Sequence, residues 1–393
     1  MRYLCWEFWW RGFRSTFIGG VAHGRISNCD GKHMTYHRTE ARTAFIEWAK
    51  LRAAARFNLA ASGVRGLPLS ELPVKPSDLE LSSPGSYGYA PLQERLARRY
   101  GVSTENVVSA IGTSMANYLA MSAVLEPGDE VIIEQPAYDP LVEAGQYLGA
   151  AVKRIPRRPA QRWQVQIDEL EKLVSGKTRL MVLTNLHNPS GALLEQDSLR
   201  AIGEVAKRVG SYVLVDEVYL ELLFDRPFAS AFHLGEHFLV TSSLTKAYGL
   251  SGLRCGWVLA APEIVERMWH QNDLFGNIPA HITDRLSVMA LDHLAPIRER
   301  AKKLLERNWK ALDAFLAEHP ELDVVRPPGG TIVFAKAPGG RGDAFAQLLH
   351  EKYETSVVPG RFFEMPDRIR IGICCDTEEV EEGLRRVSLA LQG

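Results

Sequence analysis

Four short apolar runs recur between residues 90 and 260: Glu130-Val131-Ile132-Ile133, Leu180-Met181-Val182-Leu183, Tyr212-Val213-Leu214-Val215 and Phe238-Leu239-Val240. They alternate with stretches of helical periodicity. A strand that is apolar on both faces needs helices on both sides, so the pattern predicts an α/β fold with a mostly parallel sheet. In such sheets ligands gather beyond the carboxyl ends of the strands. The polar residues at those ends are the candidates for chemistry.

The flanking segments suggest how the chain is divided. Ala44, Phe45, Trp48, Leu51 and Ala55 recur at helical spacing, which predicts a helix from Thr39 to about Phe57. A connector follows, marked by Pro68, Pro73, Pro76, Pro84 and Gly85. Residues 262 to 319 read as helices. Beyond the turn at Pro327-Pro328-Gly329-Gly330, the expected order is a strand at Thr331-Ile332-Val333-Phe334, a helix near 343 to 353, a strand near 368 to 373 and a closing helix. The expected organisation is therefore a large domain over 76–290 and a small α+β domain over 291–393. Residues 34–75 are expected to supply an arm and part of the small domain. Residues 1–33, with Trp6, Trp9 and Trp10 among scattered arginines, are expected to be an extension foreign to the protein, with Met34 as the natural start. Glu7, Arg11 and Arg14 interrupt the apolar centre that a signal peptide would need.

Composition narrows the function. Lys+Arg 46 against Asp+Glu 47 gives a formal net charge of -1 over 393 residues, which removes a broad electrostatic drive toward nucleic acid or anionic membrane. No apolar stretch approaches the length of a bilayer span. The five cysteines are odd in number and show no C-x-x-C spacing, so neither a disulfide framework nor a structural zinc site is expected. These features predict a cytoplasmic protein without metal, nucleic acid or membrane partners.

Ser175-Gly176-Lys177-Thr178 invites a phosphate-loop reading that fails. Such a loop needs glycine at its first position and must join a strand to a following helix. Here that position is Glu171, and the segment lies between a helix and the next strand.

The stretch Ser242-Ser243-Leu244-Thr245-Lys246-Ala247-Tyr248-Gly249-Leu250-Ser251-Gly252-Leu253-Arg254 is more informative. A single lysine just after a buried strand can act as an amine nucleophile or Schiff-base donor, and Ser243 and Arg254 could bind an anion beside it. Asp216 follows another apolar strand, with Tyr219 three residues on. Asn188, in Asn188-Pro189-Ser190-Gly191, follows the strand ending at Thr184. Gly112-Thr113-Ser114 precedes a helical run from Met115 to Leu125, where free N–H groups and the helix dipole favour a phosphate.

In this order the segments resemble the pyridoxal-phosphate-dependent aminotransferases of class I/II, fold type I, across nearly all of residues 55 to 390. The resemblance implies a seven-stranded sheet, pyridoxal 5'-phosphate as cofactor, amino acid and 2-oxo acid substrates, and a homodimer with composite active sites. It implies that Lys246 carries the cofactor and moves the proton at substrate Cα. Asp216 would pair with the ring nitrogen, Tyr219 and Asn188 with the ring oxygen, and Tyr138 would stack on the ring. Gly112, Thr113, Ser114, Ser243 and Arg254 would hold the phosphate, with Tyr87 or Tyr89 reaching a neighbouring subunit's phosphate. Arg370 would grip the substrate carboxylate together with Asn188 and Gly63, although strand alternation puts Arg368 on the same face. The expected activity is ping-pong transamination of a non-acidic amino acid. The alternatives are a C–S lyase or other α,β-eliminating enzyme, and more remotely a non-catalytic regulatory domain.

Overall fold

The computed structural model describes residues 41–83 and 85–393, together with the backbone of two short strands, β1 (Arg25–Ile26) and β2 (Met34–Thr35). β1 and β2 pair antiparallel within a unit of their own, residues 1–40. The readings made for the rest of residues 1–33 lie outside the described residues.

Residues 41–393 form the second unit. It begins with α1 (Ala44–Leu51), β3 (Phe57–Asn58), α2 (Ala90–Tyr100), β4 (Val107–Ile111), α3 (Gly112–Val124), β5 (Glu130–Gln135) and α4 (Asp139–Tyr147). Next come β6 (Ala151–Pro156), α5 (Ile167–Leu173), β7 (Thr178–Thr184), α6 (Gln196–Val209), β8 (Tyr212–Asp216), β9 (Phe238–Ser243) and β10 (Cys255–Leu259). Helices α7 (Pro262–Phe275), α8 (His281–Asp292) and α9 (Leu294–Glu318) lead to β11 (Ile332–Lys336) and α10 (Gly342–Tyr353). The chain closes with β12 (Thr355–Ser356), β13 (Val358–Pro359), β14 (Arg368–Gly372) and α11 (Thr377–Leu391). Helix α1 is shorter than its periodicity predicts. The chain leaves it so that Phe57 and Asn58 can pair with Thr355 and Ser356.

The fold is α/β. Its main sheet has seven strands in the order β4-β10-β9-β8-β7-β5-β6. Strand β10 runs antiparallel to both of its neighbours and the other strands run parallel to one another, so the sheet is mostly parallel, as expected. Alternation assigns each buried strand to two cores. Leu180 and Val182 of β7 share one with Leu119 of α3, Leu141 of α4 and Met268 of α7. Met181 and Leu183 share the other with Leu199 and Ile202 of α6. Glycines at φ 65° (Gly101) and 70° (Gly210) terminate α2 and α6 in the left-handed conformation.

A second, antiparallel sheet has the order β11-β14-β13, with Arg370 opposite both Phe334 and Val358. At its end the N–H of Gly372 donates to Leu59 O at 2.7 Å. A Cβ at position 372 would lie 1.9 Å from Ala61 O, so only glycine lets residues 59–62 run against β14. The same segment is held on its other side by Val64 N–H to Lys246 O at 2.8 Å. The connector is thus fastened between two loops that matter below. Gly372→Ala is expected to cost about 1–3 kcal/mol through overpacking, measured as a lowered midpoint of urea unfolding.

Candidate active site

With β10 reversed, its first residue lies at the edge where the parallel strands end. The register places Cys255 opposite Ile111, Gly256 opposite Ser243, and Asp216 opposite Thr184 and Thr241. Arg254, Gly112, Ser243 and Asp216 therefore meet at one edge. The loops carrying Tyr138, Asn188 and Lys246 leave from the same edge, after β5, β7 and β9.

Lys246 Nζ donates to Ser62 Oγ at 3.1 Å, and the Tyr219 hydroxyl donates to the same oxygen at 2.9 Å. The amine also lies 5.9 Å from the centroid of the Tyr219 ring. A Cβ on Gly63 would touch Lys246 Cδ at 3.4 Å, which puts Gly63 directly against the lysine stem. Ser62 had no distinguishing signal in the sequence. Its role follows from the Gly372 contact that brings the connector here.

Asp216 is buried at the end of β8 and accepts from Asn117 Nδ2 at 2.8 Å and from Val218 N–H at 3.0 Å. Asn117 Oδ1 in turn accepts from Thr241 Oγ1 at 2.5 Å, which fixes the amide's orientation. Burial pushes the carboxyl of Asp216 from its ordinary 3.8 up to about 6, while the bonds from Asn117 and Val218 pull it down. Asn117 was missed by sequence reasoning. It lies on α3, three residues after Ser114, one helical turn from the predicted anion-binding residues.

Helix α3 starts at Gly112, earlier than predicted; the N–H of Gly112 donates to Arg254 O at 2.7 Å, and Thr113 and Ser114 present the free N–H groups of the first turn. Gly112 has φ 73°, and a Cβ there would lie 2.2 Å from Arg254 Nη2. A Cβ on Gly256 would lie 2.4 Å from the carbonyl carbon of Gly112. Both glycines are thus required for the guanidinium and the helix start to approach each other. Thr113 Oγ1 is buried without a hydrogen-bond partner. Ser243 is buried, and its Oγ accepts from Thr245 N–H at 3.2 Å. An exposed guanidinium, a helix start and an unsatisfied hydroxyl are the donors a phosphate would engage.

Arg370 is 1 % exposed. Its Nη1 donates to Asn188 Oδ1 at 2.9 Å and its Nη2 to Ala60 O at 3.0 Å, while Nε has no partner. The guanidinium lies between the rings of Phe45 and Phe363, 5.4 and 5.1 Å from their centroids. Among the described residues no carboxylate pairs with it, and burial lowers its pKa. Arg368, two residues away on the same strand, instead donates to Phe334 O at 3.1 Å and to Asp323 Oδ2 at 3.3 Å. Tyr138 meets Phe45 edge-on at 5.8 Å, and burial raises its phenol. Tyr87 is not brought to this cluster. It is exposed, and its hydroxyl donates to Asp273 Oδ2 at 3.0 Å. Tyr89 lies edge-on to His281, with ring centroids 4.9 Å apart.

Residues 78–387 match the family model for aminotransferase class I and II. The chain is 31% identical over 317 residues to the arginine–pyruvate transaminase AruH of Pseudomonas aeruginosa, covering 77% of this chain and 80% of that protein. It is 30% identical over 286 residues to capreomycidine synthase of Streptomyces vinaceus, covering 72% and 73%. A crystal structure of a PLP-dependent aminotransferase from Streptococcus suis superposes with a TM-score of 0.84 at 27% identity, over 90% of this chain and 98% of that one. The fold is that of the type I pyridoxal-phosphate enzymes. Within that class the chain belongs to the class I and II aminotransferases, a pyridoxal-phosphate-dependent family. Among the described residues no helix is long and apolar enough to cross a membrane.

Glu217, beside Asp216, is turned away from the site. It accepts from Ala231 N–H at 2.6 Å, and burial pushes its carboxyl from the ordinary 4.5 up to about 8. A raised carboxyl makes the folded state hold a proton that the unfolded chain releases, so stability is lost as pH climbs from about 4.5 to about 8. Glu217→Gln is therefore expected to gain melting temperature relative to wild type across that window and to gain none below it. Paired thermal melts at a series of pH values check this.

Proposed function

We propose that the protein transfers an amino group from a non-acidic amino acid to a 2-oxo acid in two half-reactions at the edge built around Lys246. The observation that carries this reading is Arg370, a buried cation with no carboxylate partner among the described residues. It reaches the 60–62 segment that also holds the Lys246 amine. A substrate carboxylate on Arg370 would place the neighbouring Cα within the reach of Lys246. A planar, forked donor suits that anchoring.

The donors at the edge fit pyridoxal 5'-phosphate. Gly112, Thr113, Ser114, Ser243 and Arg254 would hold its phosphate, Tyr138 its face and Asp216 its ring nitrogen. Tyr219 and the amide NH2 of Asn188 would donate to its ring oxygen, since the Asn188 carbonyl is already engaged by Arg370. When bound, the cofactor supplies an electron sink for the carbanion at substrate Cα. Lys246 would carry it and, once released by the substrate amine, would move the Cα proton. Asp216, oriented by Asn117 and Val218, keeps a proton on the ring nitrogen. Gly63 leaves room for substrate opposite Arg370.

We read residues 76–290 as the cofactor-binding half, with 291–393 and the preceding arm as the substrate-gripping half. Tyr87, with its exposed ring, we assign to the phosphate of a second copy in a homodimer. The substrate preference rests on residues 272–277, which contain no arginine to pair with a second carboxylate. The arginine–pyruvate relative supports including arginine and pyruvate among the first compounds tried. The capreomycidine synthase relative favours a second reading, in which the same site completes a synthase or eliminating reaction.

Mixing the protein with single amino acids, following the visible absorbance and identifying products separates these readings. Transamination releases a 2-oxo acid and leaves the amino form of the cofactor. Elimination releases ammonia. A clear preference for aspartate or glutamate over every neutral amino acid would overturn the substrate reading. Lys246→Ala is expected to yield no borohydride-fixable cofactor adduct, checked by mass spectrometry. Arg370→Ala is expected to lower kcat/KM for amino acids by about 100-fold, from the loss of charge-assisted bonds, checked by steady-state kinetics.

A further inference from the structure

Behind Asn188 lies a fully buried polar chain that none of the roles above uses. Glu134, on β5, pairs with Arg157 at 2.5 Å, and both side chains are 0% exposed. Glu134 Oε1 accepts from both the N–H and the hydroxyl of Thr184, at 2.8 and 2.5 Å. Thr184 Oγ1 accepts from Asn188 N–H at 2.9 Å, and Asn188 Oδ1 accepts from Arg370 at 2.9 Å. The direction of each bond is fixed. The one hydroxyl proton of Thr184 goes to the carboxylate, which leaves its lone pair for Asn188.

We infer that Glu134, Arg157 and Thr184 are positioning residues for the grip on the substrate carboxylate, acting through Asn188 on Arg370. This rests on the reading of Arg370 given above. A buried ion pair is a poor way to fill a core, since apolar residues of similar volume often do as well or better. Here the pair is maintained under strain. Arg157 Nε donates at 2.5 Å to the carbonyl of Trp163, and both Arg162 and Trp163 are left-handed, with φ 50° and 59°. The Asn188 turn is also tied back to the strand that leads to Tyr138. His187 Nε2 donates to Pro136 O at 2.9 Å, and its Nδ1 accepts from Ser190 Oγ at 2.6 Å. Burial keeps that imidazole neutral. The amide of Asn188 therefore has little freedom, and the guanidinium that leans on it takes its orientation from Glu134.

The test is Thr184→Val, which keeps the side-chain shape and removes the hydroxyl. The readout is the single-turnover half-reaction of the cofactor-loaded enzyme with an α-amino acid and with the amine that lacks only its carboxylate. The amino acid is expected to lose about 10-fold in the ratio of limiting rate to apparent Kd, chiefly through Kd, because a hydrogen bond to a positioning group is lost. The amine is expected to change less than about twofold, because it makes no use of the grip. Thr184→Ser is expected to restore the amino acid rate. Equal losses on both substrates, no loss on either, or failure of the serine to restore would overturn the inference. Thr184→Ala, read by the same ratio, answers the question if the valine variant does not fold. Arg370→Lys separates this from the parent reading. If that variant shows no carboxylate-selective loss, the assignment of Arg370 itself fails, whatever Thr184→Val does.

Discussion

The site depends on the ladder that fits β10 between β4 and β9 in the opposite direction. Were β10 parallel to its neighbours, Arg254 would emerge at the far edge of the sheet, away from Gly112 and Ser243. Reversed, it delivers a guanidinium to the start of α3. The close approach is possible only because positions 112 and 256 lack a side chain. The loop joining β9 to β10 carries Lys246, so one hairpin supplies both the amine and the cation. The remaining strands contribute by ending at the same edge, which parallel strands do by construction.

A second set of contacts joins the two sheets through the connector. Residues 59–64 run between Gly372 on β14 and Lys246 on the main sheet, and Ser62 accepts from both Lys246 and Tyr219. Arg370 reaches this segment through Ala60, and Thr331 reaches it through Ser62 O at 2.8 Å. The geometry of the lysine is therefore set by long-range contacts. The path from β14 to the amine runs through the backbone of residues 59–62 and the hydroxyl of Ser62.

Much of this was legible in the sequence, for identifiable reasons. Continuous apolar runs declared the buried strands, and a lysine just past one of them pointed to the edge where the candidate residues meet. Arg254, Asp216 and Asn188 were found because each stands within a few residues of a strand end. The alternation rule could not separate Arg370 from Arg368, since both point the same way. The family resemblance favoured Arg370, and the surroundings of the two differ, with Asp323 beside Arg368 and Asn188 beside Arg370. Asn117, Ser62 and Thr184 were missed because each has an ordinary local role in a helix, connector or strand. Their hydrogen-bond partners at the candidate site lie 99, 184 and 50 positions away in the chain. Helix α1 was drawn too long because periodicity cannot see that the next residues are claimed by a strand.

Arg370 has a consequence for how such a chain drifts over generations. A cation stripped of water and flanked by phenylalanines burdens the folded state, and an uncharged residue of similar bulk would relieve that burden. On the role proposed for it, selection for substrates bearing a carboxylate would be what holds the arginine in place. A lineage that turned to plain amines would be free to discard it early and would gain robustness by doing so. The identity of this one position in related chains would then record whether their substrates still bear an acid group.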